Sequence, residues 1–253
     1  MITLEGLCAR FDLSGDQVAA LQRYVDLLAS WRRANVTGVH APGEIVETLV
    51  GDSLGLLDVP ALAGSSGSRW LDLGAGAGVP GIPLAVALPA IEMTLLDATR
   101  KKCEFLVAAV AAAGLAERVR VVCARSERYA ATRPSGAAAP LRPDETAVAG
   151  AGREAFTVVV ARALAPLAVV VELGAPLLAP GGLLVASKTS ATIEKERAAG
   201  EAAAGACGLA LREVARSPRS PLRDSAAVVF AKIGPTPERL PRREGVAAKR
   251  PLG

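Results

Sequence analysis

Between Trp70 and Gly81 the chain reads Trp-Leu-Asp-Leu-Gly-Ala-Gly-Ala-Gly-Val-Pro-Gly, and few folds accommodate such a stretch. Apolar residues run into spaced glycines, and Pro80 follows where a helix can begin. Glycine lets the backbone reverse tightly and pass close to a ligand without side-chain collision, while proline is favoured in the first turn of a helix. The stretch therefore predicts a strand, a tight turn and a helix. Gly76-Ala77-Gly78-Val79-Pro80-Gly81 fits the G-x-G-x-x-G pattern of dinucleotide sites, a pattern too common to identify a ligand alone.

The surrounding chain supports a sheet around that turn. Short apolar runs predict strands at Arg69 to Leu73, Glu92 to Asp97, Arg118 to Cys123, Phe156 to Ala161, Leu183 to Ser187 and Ala226 to Ile233. Helices are expected at Pro80 to Leu88, Ala98 to Ala113 and Leu164 to Leu178. Strand and helix in alternation imply an α/β, Rossmann-like parallel sheet with helices on both faces. Upstream, Ser14-Gly15-Asp16-Gln17 has the spacing of a capping box, with Val18, Leu21, Val25 and Leu28 at helical spacing behind it. A second helix is expected from Glu44 to Leu57. The division is thus an N-terminal helical cap over 1–63, a core over 64–233 and a basic C-terminal tail over 234–253. Gly64 to Ser68 reads as a flexible joint, and Ala130 to Gly152, rich in Ala, Pro, Gly and Arg, as an exposed loop.

Several function classes drop out on composition. The longest uncharged stretch, Leu73 to Ile91, holds too many glycines and prolines for one membrane-spanning helix, and the first ten residues lack the features of a secretory signal. A cytoplasmic protein with no membrane partner is expected. The cysteines Cys8, Cys103, Cys123 and Cys207 form no C-x-x-C pair and His40 is the only histidine. No metal site and no His-dependent triad is expected.

Asp97 ends the second strand about 20 residues after the turn, where a carboxylate can accept both hydroxyls of a ribose. NAD and S-adenosylmethionine (SAM) both present such a ribose. Asp72, two residues before Gly74, would repel a pyrophosphate and favour the ammonium and sulfonium of SAM. Its alternative role is to accept the turn's own N–H groups. Ser126 and Glu127 follow the third strand, where a SAM enzyme places groups against the adenine. Arg162, ending an apolar strand, needs an acceptor: a ligand, or an ion pair to Glu172 or Asp72. No Asn-Pro-Pro-Tyr-like segment and no cysteine stands directly after the fourth strand, at Ala161-Arg162-Ala163-Leu164, which disfavours methylation of an exocyclic amine or of pyrimidine C5. A ring nitrogen such as guanine N7 already carries an in-plane lone pair and needs only alignment.

Leu71 to Ala85, with Pro-Gly-Ile-Pro-Leu after the glycine turn, resembles the bacterial small-subunit rRNA guanine-N7 methyltransferase family (RsmG, formerly glucose-inhibited division protein B). The likeness extends to Trp31 to Thr37, to Leu95-Leu96-Asp97 with Lys101-Lys102, to Ala161-Arg162-Ala163, and to Pro235-Thr236-Pro237, Pro241 to Gly245 and Lys249 to Leu252. The resemblance implies a class I SAM-dependent methyltransferase sheet, with SAM as cofactor and 16S rRNA or the small ribosomal subunit as partner. It carries SAM contacts onto Gly74 and Val79, Ser126 and Glu127, and Arg162, beside Gly76 and Asp97 read from the turn itself. It assigns no catalytic residue. Where the family has R-H-x-x-D-S, this chain has Thr48 to Ser53 and keeps only Asp52-Ser53. A monomer is expected.

Basic residues gather at Arg32-Arg33, at Arg212, Arg216, Arg219 and Arg223, and at Arg239, Arg242, Arg243, Lys249 and Arg250. They would form a phosphate-tracking surface, or a solvated face with a loose tail. An NAD-linked oxidoreductase and a non-catalytic ribosome-associated nucleotide-binding protein are the competing readings.

Overall fold

The computed structural model describes residues 2–65, 68–131 and 150–253. Most of the Ala130 to Gly152 loop and the centre of the Gly64 to Ser68 joint lie outside the described residues. The helices are α1 (Leu4–Ala9), α2 (Gly15–Ser30), α3 (Pro42–Glu44), α4 (Asp52–Leu54), α5 (Gly81–Ala87), α6 (Arg100–Ala112), α7 (Ser126–Tyr129), α8 (Leu167–Gly174), α9 (Ser190–Ala206) and α10 (Val246–Lys249). The strands are β1 (Arg69–Leu73), β2 (Glu92–Asp97), β3 (Val119–Cys123), β4 (Phe156–Arg162), β5 (Leu178–Thr189), β6 (Leu209–Ala215) and β7 (Ser225–Lys232). They form one sheet in the order β3-β2-β1-β4-β5-β7-β6.

β1 to β5 pair in parallel, as the alternation of elements predicts, but β7 runs antiparallel between β5 and β6. The expectation of a parallel sheet therefore fails at this edge. A parallel pair needs a crossover of a dozen or more residues, whereas residues 216–224 join β6 to β7 directly and contain no helix. β5 also runs longer than Leu183 to Ser187 suggests, and β6 was not anticipated.

Period-2 alternation divides the sheet residues between two apolar layers. Trp70, Met93, Leu95, Val158, Val160 and Val229 face the cap helices together with α5 and α6. Leu71, Leu96, Val159, Leu184, Val228 and Phe230 face α8 and α9. The cap shares its core with the first layer and is keyed to the glycine turn. The Ser14 hydroxyl accepts from Gln17 N and the Gln17 side chain accepts from Ser14 N, completing the capping box. Gln17 Nε2 then donates to Val86 O at 2.8 Å, and the buried Tyr24 hydroxyl donates to Ala77 O at 2.8 Å.

The expected Glu44 to Leu57 helix is broken into α3, a π-helical stretch Ile45–Gly51, α4 and a 3-10 turn Gly55–Asp58. A π-turn inserts an extra residue and rotates the next part of the helix about its axis. Here it delivers Thr48 and Asp52 to the end of β4, beside Arg162.

Candidate cofactor crevice and acceptor cavity

The turn after β1 has positive φ at Gly74 (75°), Gly76 (53°) and Gly78 (84°), angles that side-chain-bearing residues adopt only at a cost of roughly 1 to 2 kcal/mol. Its glycine N–H groups already have acceptors inside the protein. Gly74 N and Ala75 N donate to Leu96 O, Gly76 N to Asp97 Oδ2 at 3.0 Å, Gly78 N to Ala75 O, and Gly81 N to Asp72 Oδ2 at 2.8 Å. A pyrophosphate site needs such groups turned outward and unpaired. This turn shapes a wall and does not offer a phosphate nest.

Asp72 takes the second of its two expected roles. It is fully buried against α5, too far inside to face a ligand, and an added Cβ on Gly81 would sit 2.7 Å from its Oδ2. Burial, opposed by the Gly81 N–H, pushes its carboxyl up to about 7, and its Oδ1 has no partner among the described residues. What disfavours a polyphosphate here is therefore the occupied N–H groups of the turn, not a charge on Asp72.

A crevice of about 280 Å³ opens at the carboxyl ends of β1, β2 and β3, lined among others by Gly74, Asp97, Ser126, Glu127 and Ala163. Asp97 is buried with Oδ1 held by Thr99 N at 2.8 Å and Oδ2 by Gly76 N, so its carboxylate is fixed in place before any ligand arrives. The Ser126 hydroxyl donates to Glu127 Oε2 at 3.2 Å. Lys102 and Arg125 line the same space, so its charges balance, and the group held ready for a ligand is Asp97, whose fixed carboxylate suits hydroxyl donors. Gly76 and Val79 do not line the crevice. Gly76 reaches it through its bond to Asp97, and Val79 is packed in the apolar layer beneath.

A second cavity of about 710 Å³ lies beyond Ala163, lined by residues that include Asp52, Arg162, Lys188, Thr192 and Arg223. Ala163 borders both spaces and has φ of 51° without being glycine, a local strain of the kind found at ligand sites. Arg162 faces this second cavity. Its Nε donates to Asp52 Oδ2 at 2.7 Å and its Nη2 to Thr48 O at 2.8 Å. Its ion-pair partner is thus neither Glu172 nor Asp72. Asp52 is the site residue missed by motif reasoning from the sheet, and its signal was the Asp52-Ser53 remnant in the cap. Lys188 Nζ is held by Glu196 at 2.9 Å and Ala165 O at 2.6 Å.

The basic clusters divide by partner. Arg219 pairs with Asp58 and lies 4.5 Å over the Phe11 ring, and Arg242 pairs with Glu172, so both are structural. Arg10, Arg216 and Arg223 instead line a groove of about 510 Å³ with Glu47, and this groove shares Pro221 and Arg223 with the second cavity. His40 lines neither the crevice nor the cavity. No helix among the described residues is long and apolar enough to cross a membrane, and none of their His, Cys, Asp and Glu side chains group in threes that could hold a metal ion.

A seven-stranded sheet in this order, with an antiparallel β7 and a crevice at the carboxyl ends of its first strands, is the class I methyltransferase architecture. In keeping with it, the chain resembles the crystal structure of a predicted O-methyltransferase from Agrobacterium tumefaciens, with a TM-score of 0.51, 20% identity, and coverage of 74% of this chain and 82% of that one. The family described as rRNA small subunit methyltransferase G (GidB) matches residues 17–216, and the chain belongs to that family. Similar relatives named ribosomal RNA small subunit methyltransferase G include those of Rubrobacter xylanophilus, 37% identical over 94% of this chain and 85% of the relative, and Deinococcus deserti, 39% identical over 94% and 88%.

Proposed function

We infer that this chain is a SAM-dependent methyltransferase of small-subunit rRNA, transferring a methyl group to N7 of a guanine in 16S rRNA. The observation that carries the reading is the pair of spaces joined at Ala163: a small crevice with the fixed Asp97 carboxylate beside a turn whose glycine N–H groups are already taken, and a larger cavity bearing Arg162, Lys188 and Arg223 next to it. SAM supplies an activated methyl on a positively charged sulfur. Asp97 would accept the ribose hydroxyls, Ser126 and Glu127 would border the adenine, and Gly74 would let the turn pass close to the methionyl part. Gly76 and Val79 support that wall from behind, and Arg162 stands on the acceptor side of Ala163.

The acceptor chemistry asks little of the protein. Guanine N7 presents its lone pair in the plane of the ring at neutral pH, so holding it in line with the methyl group suffices and no general base is required. Arg162, fixed by Asp52 and Thr48, is placed to touch the nucleotide or its phosphate, and the Arg10, Arg216 and Arg223 groove leads a strand of RNA toward it. In this scheme the chain acts as a monomer. The cap over 1–63 supplies one wall of the acceptor side, the core over 64–233 holds the cofactor, and the tail over 234–253 closes the crevice.

Tritium-labelled SAM mixed with small ribosomal subunits from cells lacking the protein tests this directly. Label should appear at a guanine N7 of 16S rRNA, read by chemical cleavage at 7-methylguanosine. Label on another atom or only on protein would reject the acceptor assignment.

A further inference from the structure

The last twenty residues read in the sequence as a basic tail, yet the described chain folds them back across the mouth of the cofactor crevice. Their root is fixed where β7 ends. Buried Lys232 Nζ donates to Glu154 Oε1 at 2.7 Å, Leu178 O at 2.6 Å and Thr236 Oγ1 at 2.7 Å. Leu240 is buried, and its carbonyl accepts from Arg153 Nη1 at 2.8 Å. The far end is fixed by Glu172 of α8, a carboxylate that is only 2% exposed. Arg242 meets it with a two-pronged contact, Nε to Oε1 at 2.5 Å and Nη2 to Oε2 at 2.6 Å, and Leu252 N donates to the same Oε2 at 3.1 Å. Arg242 Nη2 also donates to Arg250 O at 2.5 Å.

Residues 243–251 are thereby arched between two anchors on one buried carboxylate. At the top of the arch, Gly245 N donates to Glu127 Oε1 at 2.9 Å, while the opposite oxygen of that carboxylate accepts from Ser126. Gly245 adopts φ of 75°, which turns its N–H inward, and both Gly245 and Ala248 line the crevice itself.

We propose that the tail is a built part of the SAM site: the Arg242–Glu172 clamp holds Gly245 and Ala248 against the nucleoside, and Gly245 N–H positions Glu127 for it. The proposal rests on the crevice being the SAM site. A bidentate charged pair around a buried carboxylate is among the stronger and more directional contacts available to a surface segment, which explains how so short a strap stays closed. Arg242 finds its partner, Glu172, on a helix 70 residues away in sequence.

Three measurements on the full chain decide it. Ala248 is exposed and lines the crevice, so Ala248→Trp should fold normally while intruding on that space. Its SAM dissociation constant by calorimetry should rise at least tenfold, and Arg242→Gln should raise KM for SAM by a similar factor while kcat at saturating SAM stays within twofold. Photolysis with an 8-azidoadenosyl analogue of SAM should label the tryptic peptide 244–249 in the unmutated protein, and excess SAM should suppress the label. Unchanged SAM affinity in Ala248→Trp, or labelling that spares this peptide, overturns the role of the tail. Failure of the unmutated protein to bind SAM at all would instead overturn the assignment of the crevice.

Discussion

The crevice and the cavity meet at one residue and are built in opposite ways. The inner wall of the crevice is made from contiguous strand-and-turn units, with Asp97 held by the backbone donors Gly76 N and Thr99 N, and the distant tail enters only at its mouth, through Gly245 and Ala248. The cavity collects Asp52 from the cap, Arg162 from β4, Lys188 from β5 and Arg223 from the β6–β7 connection, and its shape depends on side-chain ion pairs such as Arg162 with Asp52 and Lys188 with Glu196. Local backbone geometry alone fixes Asp97, and only the mouth of the crevice needs a segment from elsewhere in the chain. The acceptor side has to be assembled from parts far apart in the chain.

The largest effect concerns the glycine turn that walls the crevice. The Asp72 carboxyl is raised from 3.8 to about 7, so between those values the unfolded chain is ionised there while the folded chain holds its proton. Its contribution to stability is full below about pH 4 and is lost as pH rises through 7. The stability of the unmutated protein relative to Asp72→Asn should therefore fall by up to roughly 4 kcal/mol between pH 4 and pH 8, measured by urea unfolding. A difference that is flat across that range would mean the acid is already ionised in the fold.

Asp52→Ala leaves Arg162 without its counter-charge at a site where the pair's side chains are only 18% and 5% exposed. Loss of about 3 kcal/mol of stability is expected for stranding such a charge. If the two regions are energetically separate, methyl transfer should fall while SAM affinity holds within threefold. Equal losses in both would erase the distinction.

Asp97→Ala is the mirror experiment. Removing its charge-assisted bonds should weaken SAM binding by roughly 1.5 to 3 kcal/mol, or about 10- to 150-fold, with RNA affinity unchanged. Less than a threefold change in calorimetry moves the ribose elsewhere. Smallest of all, Arg223→Ala should flatten the log-log salt dependence of RNA binding by about 0.7, the share of one phosphate contact on a single strand. An unaltered slope would detach the groove from RNA.

Legibility in the sequence divides along the same line between the regions. The capping box at Ser14, the parallel strands and the glycine turn are local patterns, and they stand where periodicity puts them. So does Asp97 at the end of β2. β6 was hidden because it is a partly exposed edge strand carrying Arg212 and Glu213, with little apolar alternation to read. α9 was hidden because it buries chiefly Ile193 and small residues such as Ala203 and Ala204, so its apolar stripe has weak contrast. The π-helical break at Ile45–Gly51 leaves no mark in an apolar pattern that fits an unbroken helix. The partner of Arg162 lies 110 residues away, and the tail's basic composition looks solvated until Glu172 comes into view. Asp72 is the instructive case: its position was legible, but burial depth decided its role, and depth is a property of the folded layers.

Among the described residues Ala163 is the one that borders both spaces, a recess of about 280 Å³ on one side and a chamber of about 710 Å³ on the other. A molecule joining an adenosine to a guanine through a linker of a few atoms would straddle it, occupying both compartments at once. Such a hybrid would gain the affinity of each half without paying twice for immobilisation, and the optimum linker length would serve as a ruler for the path that the methyl group crosses.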